Sequence, residues 1–162
     1  MKMKDFKEIV IKTFSPVLID YSMKFVSIKK ICSGHFVCIY ENKTTAVEII
    51  LEGRDCCLSV YIHKLFNGEI TPLPDFKREF LNSELSGFDL NYIIRYYDEK
   101  STIKSLYEYS YNFNVENKSD IFYDYFSSYA TALKTYCNDI LNGDFTKFKT
   151  YEIFVKKIVS KY

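Results

Sequence analysis

Cys32, His35 and Cys38 fall within seven residues, and His63 with the vicinal Cys56 and Cys57 lies further along the chain. Zinc takes soft and borderline ligands of this kind in a tetrahedron, and a hairpin can hold two of them near its turn. The same residues would offer a cysteine nucleophile with His35 or His63 as its base. A reactive thiolate, however, needs a helix N-terminus, a cation or a base beside it, and none of the five cysteines, Cys137 included, stands at a recognisable helix start. Cysteine is among the most buried residue types and packs in strands as a small hydrophobe. The expectation is therefore of free, structural thiols, with no metal, no cofactor and no catalytic residue assigned.

Carboxylate pairs are the next candidates for acid–base work: Asp120 with Asp124, and Glu48 with Glu52. Each has a structural explanation. Asp120 stands where a helix begins, a place the helix dipole favours for an acid, and Glu48 and Glu52 alternate out of a strand with one wet face. Phosphate loops, nucleophile elbows and paired-His zinc helices are missing, so the chain reads as non-enzymatic. Tyrosine is the remaining signal. There are 15 Tyr and 14 Phe but no Trp, and lysine far outnumbers arginine, a skew that AT-rich codon usage also produces. Tyrosine joins apolar area to a polar tip with few rotatable bonds, which suits protein interfaces. Tyr40, Tyr61, Tyr92, Tyr96, Tyr107 and Tyr109 are accordingly the candidate interface residues.

The elements that must position these residues follow from the spacing of apolar side chains. Phe6, Ile9, Val10, Phe14, Val17, Leu18 and Tyr21 recur at helical intervals over residues 1–22, with Lys4, Lys7, Glu8 and Lys12 on the wet side. Ser15 and Pro16, a good cap and a good first-turn residue, predict a kink or restart. Over residues 24–64 the period changes to two. Four strand-like runs, 24–32, 35–41, 45–52 and 56–64, are parted by Ser33-Gly34, Asn42-Lys43 and Gly53-Arg54-Asp55, the spacing of consecutive hairpins. Val47, Ile49, Leu51, Leu58, Val60 and Ile62 give that meander one continuous apolar face, which helices must cover.

Beyond Pro72 and Pro74, short helices are predicted over 75–97: one capped by Asp75 and reaching Gly87, another capped by Asp89. Residues 98–118 fit either a strand or a helix. The strongest helix spans 119–142, where Ile121, Phe122, Tyr125, Phe126, Tyr129, Leu133, Tyr136, Ile140 and Leu141 form a sustained stripe stopped by Gly143. Asp144 should cap a last helix over 145–161. Together these make one α+β domain over 1–162: an N-terminal helix, a four-stranded antiparallel meander, and a helical C-terminal half on one face of the sheet.

The charge balance narrows the partners. With hydrophobic residues at 48% and charged residues at 27%, the composition is that of an ordinary globular domain. A net charge of +1 argues against a dedicated nucleic-acid binder, although residues 1–32 and 145–162 are each +4 around a centre of −7. Residues 1–20 are charged throughout and lack the apolar centre of a signal peptide, and no run approaches a membrane span, so a cytoplasmic protein with reduced thiols is expected.

The order of N-terminal helix and meander, the turn Glu52-Gly53-Arg54-Asp55 before Leu58-Ser59-Val60-Tyr61-Ile62, and the C-terminal run from Leu133 through Asn142-Gly143-Asp144-Phe145 resemble small uncharacterised bacterial proteins. Some of these look like immunity proteins of toxin–immunity systems. The resemblance leaves residues 66–118 unmatched and carries over no functional residue. It implies a non-catalytic protein-binding module of the immunity type that blocks a partner toxin. The alternative is a small enzyme or ligand-binding protein with its site beneath the meander; nucleic-acid binding is the weaker alternative.

Overall fold

A computed structural model of the chain describes residues 1–52, 57–106 and 118–161, the side chains of residues 118 and 119 excepted. The described elements run α1 (Met3–Leu18), a short 3-10 turn (Ile19–Tyr21), β1 (Lys24–Cys32), β2 (His35–Glu41), β3 (Thr45–Glu52), β4 (Cys57–Lys64), α2 (Lys77–Asn82), β5 (Gly87–Asp89), α3 (Leu90–Tyr97), α4 (Lys118–Tyr136), α5 (Asn138–Leu141) and α6 (Phe148–Ser160). The fold is α+β, as the periodicities require. None of the described helices is long and apolar enough to cross a membrane.

The sheet is antiparallel with strand order β1-β2-β3-β4-β5, one strand more than the meander read from the sequence. The extra strand arises because the helix begun near Asp75 stops at Asn82. Phe76 rather than Asp75 occupies its N-cap position, and Leu85, Ser86 and Gly87 are then drawn in beside β4, with Lys64 N donating to Ser86 O at 2.7 Å. Asp89 does cap α3, accepting from Asn91 N at 2.7 Å.

One face of the sheet is closed. Phe36, Cys38 and Tyr40 of β2, Val47, Ile49 and Leu51 of β3, and Leu58, Val60 and Ile62 of β4 are all buried there. Phe6 of α1 stacks on Phe36 at 5.4 Å and meets Phe126 of α4 edge-on at 6.0 Å, so one ring ties sheet, first helix and fourth helix together. α1 runs through Pro16 as one continuous helix, so of the kink or restart expected there the restart does not occur. Phe14 and Leu18, on either side of the proline, are fully buried. Continuing the stripe outweighs the lost backbone hydrogen bond so near the helix end.

The long C-terminal helix, by contrast, does break, at Cys137. Its next turn is captured by other elements: Thr45 Oγ1 donates to Ile140 O at 3.0 Å, Asn42 Nδ2 to Leu141 O at 3.1 Å, and Tyr21 Oη to Asn138 Oδ1 at 2.9 Å. Gly143, at φ +82°, then lets the chain pass within a Cβ radius of Thr44 Oγ1. Asp144 closes a local turn with Thr146 N instead of capping α6, which starts three residues later than the spacing suggests. Residues 107–117, most of the stretch that fits either strand or helix, lie outside the described residues.

Candidate functional site

The opposite face of the same sheet is built from the alternate residues of the same strands. Strand register lays Glu48 (β3), Tyr61 (β4) and Asp89 (β5) side by side in one row, and Ala46, His63 and Gly87 in the next. Directly opposed side chains in such rows stand within contact of one another. The small neighbours Ala46 and Gly87 leave room for the imidazole of His63 to lie against the sheet, and it is only 2% exposed. Its Nε2 is 3.2 Å from Glu48 Oε2 and its ring is stacked with that of Tyr61 at 6.1 Å. An ionised carboxylate accepts only, so Nε2 carries a hydrogen toward Glu48, and in the neutral imidazole Nδ1 then holds the lone pair. That Nδ1 is buried and has no hydrogen-bond partner among the described residues. It faces Gly87, where a Cβ would come within 2.5 Å of it and within 2.8 Å of Ile62 O.

A cleft of about 640 Å³ opens over these rows. That size falls in the range of small-molecule sites, roughly 300–1,000 Å³. Its walls are largely apolar: Ile50 from β3, Ile70, Pro72, Leu73 and Pro74 from the segment after β4, Phe80 from α2, and Val155 and Val159 from α6. The wall segment is pinned at both ends, because Leu65 N donates to Thr44 O at 2.8 Å and Ser86 Oγ to Thr71 O at 2.8 Å. Burial, followed by the charges of Asp89, Glu52 and Glu48, pushes the Tyr61 hydroxyl up to about 12. Burial likewise holds the Asp89 carboxyl above the usual carboxylate range, against the pull of the Asn91 hydrogen bonds. A second hollow of about 670 Å³ lies beside the β2–β3 turn, but Lys24, Val26, Lys43 and Thr44 in its lining are exposed, and the buried Tyr21 there has its hydroxyl spent on Asn138 Oδ1 at 2.9 Å.

The candidate interface tyrosines are dispersed by the fold. Tyr40 is 2% exposed, and its hydroxyl shares a 2.7 Å hydrogen bond with Ser15 Oγ, so its face is spent on the core. Tyr61 and Tyr92 come together in the lining of the cleft. Tyr96 is half-buried among Tyr97, Tyr151 and Phe154 at 5.0–5.4 Å. Tyr107 and Tyr109 lie outside the described residues.

The cysteine and carboxylate groupings are parted as well. Cys32 and His35 pair across the first turn, but Cys38 points into the closed face, where burial pushes its thiol up to about 12. Among the described residues no three His, Cys, Asp or Glu side chains gather as a metal site would need. Glu52 and Asp124 are exposed; Glu48 alone of the carboxylate pairs enters the cleft. Among the described lining residues there is no serine, threonine or cysteine to act as a nucleophile. The arrangement can bind, orient and exchange protons. Comparison with protein-family models, with curated proteins and with solved structures finds no match for the chain.

Proposed function

We propose that the chain binds a small ligand in the cleft over the second face of its sheet. The observation that carries the reading is a polar row, half-buried Glu48, Tyr61 and Asp89 beside the buried His63, set at the floor of an apolar cleft. A structural sheet face needs no such row. Desolvating these groups costs free energy that a bound partner would offset. Gel filtration of the protein after incubation with a metabolite extract, followed by mass spectrometry, tests it. The wild type should retain a ligand that Ile50→Trp, which fills the cleft from its floor, releases while keeping a similar melting temperature. Equal retention by both proteins, or by neither, would overturn the reading.

A second reading is the protein-binding module, including the immunity role. Its support is Phe76, 71% exposed between the lining residues Asp75 and Lys77 at the mouth of the cleft. A partner retained by the wild type and lost on Phe76→Glu would favour it; a partner retained by both would place the contact elsewhere.

A further inference from the structure

Resting on the cleft reading above, we infer that the ligand is an organic cation, an ammonium or guanidinium head with N–H donors carried on an apolar body. The floor of the cleft is rich in acceptors. Glu48 commits Oε2 to His63 and retains its other carboxylate oxygen, while Asp89 accepts from Asn91 N on Oδ1 and is also hydrogen-bonded by the Asn91 side chain. His63 gives its Nε2 hydrogen to Glu48, and its buried Nδ1, an acceptor in the neutral ring, has no hydrogen-bond partner among the described residues, on a side chain that is 97% withdrawn from water. Tyr61 stands between the two carboxylates, and its hydroxyl already feels their field.

The three ligand classes fare differently against such a floor. An anion would meet two carboxylates in a desolvated setting, where repulsion is strong. A neutral apolar ligand would exclude water and leave the acceptors without donors, which is costly for buried polar groups. A cation supplies the missing donors and the missing charge together, and restores the ionised form of Asp89 that burial disfavours. Tyr61 and Tyr92, both in the lining, supply aromatic rings of the kind that attract a cationic head. Lys77 is the sole lysine among the described lining residues; it is exposed and one residue from Phe76 at the mouth, away from the floor. Ile50, Leu73, Phe80 and Val155 offer the apolar body its walls.

The head could belong to a free amine or to a lysine or arginine side chain of another protein, and one titration separates these sources. Hexylammonium, hexanoate and hexanol share an alkyl chain and differ in the head; each is titrated into the full chain while the Ile50 methyl and His63 ring signals are followed by NMR. Hexylammonium should bind about tenfold or more tightly than either analogue. Glu48→Gln and Asp89→Asn, the latter keeping a side chain able to cap α3, should each reduce that preference. A short alanine-flanked lysine peptide that binds more tightly than hexylammonium assigns the head to a partner protein; weaker binding assigns it to a free amine. Hexanoate or hexanol binding as well as hexylammonium, or a preference that survives both substitutions, overturns the cation inference and leaves the cleft reading intact. If no probe moves these signals, the ligand retained from the extract decides: a cation supports the inference and a neutral or anionic molecule overturns it. No probe binding and no retained ligand removes the cleft reading with it.

Discussion

The two faces of the sheet are made from alternate residues of the same strands and yet differ in every chemical respect. On the closed face Val47, Ile49, Leu51, Leu58, Val60 and Ile62 meet α1 and α4 with almost no exposure and no carboxylate, lysine or imidazole among them. On the other, Glu48, Tyr61, His63 and Asp89 hold partly dehydrated charge and an unpaired ring nitrogen under a cleft. Packing explains the first face completely. It does not explain the second, since an apolar or fully wet row would serve stability better. The contrast is the reason the proposed ligand site is placed on the face that stability does not account for.

The largest effect expected concerns the closed side. Phe126 and Leu133 of α4 are both fully buried, and Phe126→Ala or Leu133→Ala should cost about 2–5 kcal/mol through lost burial and the cavity left behind. Urea unfolding measures it. A wild-type midpoint for either variant would mean that α4 is not part of the core, and the comparison of faces would lose its premise.

Next comes the open side. Gly87→Ala would push a methyl group to 2.5 Å from His63 Nδ1 and 2.8 Å from Ile62 O, neither of which can give easily. We expect a loss of about 1–3 kcal/mol, the usual cost of overpacking, together with displacement of the His63 ring. Thermal unfolding and the His63 NMR signals report the two effects separately. A neutral Gly87→Ala would show that the imidazole is free to move and that the row is not preorganised.

Glu152 of α6 lies between the extremes, a carboxylate only 3% exposed with Lys149 Nζ at 2.8 Å and Lys156 Nζ at 2.6 Å. Burial pushes its carboxyl up, but the hydrogen bonds and charges of the two lysines outweigh it, and the net shift is below the usual glutamate value. A folded-state pKa below the unfolded one means stability present at neutral pH and lost as pH falls through the unfolded and then the folded value. Glu152→Gln should cost about 1–2 kcal/mol near neutrality and flatten the acid side of the stability profile. Unchanged acid sensitivity would assign that loss to other carboxylates. Lys149 is largely exposed, so most of the effect should pass through Lys156, which also donates to Ser83 O.

The smallest effect belongs to a position on neither face. Thr135 is exposed on α4, its hydroxyl bonded back to Thr131 O at 2.9 Å, and Thr135→Ala should move stability by no more than about 0.5 kcal/mol. A cost as large as that of Leu133→Ala, measured in the same urea series, would show that the exposed side of α4 also bears a load.

Much of this molecule is determined by its sequence alone, wherever one element's own periodicity decides. The α1 stripe, the alternation of β2, β3 and β4, the Asp89 cap and the body of α4 are local patterns, and the burial of Phe14, Val47 or Phe126 follows from them. What only the tertiary structure decided rests on contacts between distant segments. β5 forms because Gly87 to Asp89 find a free edge on β4. α4 ends at Cys137 because Asn42, Thr45 and Tyr21 draw the next carbonyls and side chain to themselves. The candidate site is of the same kind. Glu48 and His63 were visible as polar residues on alternating strands, and the small residues Ala46 and Gly87 could have hinted at a large ring between them. That Asp89 stands in register with Tyr61, and that α6 and the proline segment roof the row into a cleft, required pairings across dozens of residues. No spacing within one strand encodes such pairings, because they are set by which surfaces remain to be buried once every element has formed.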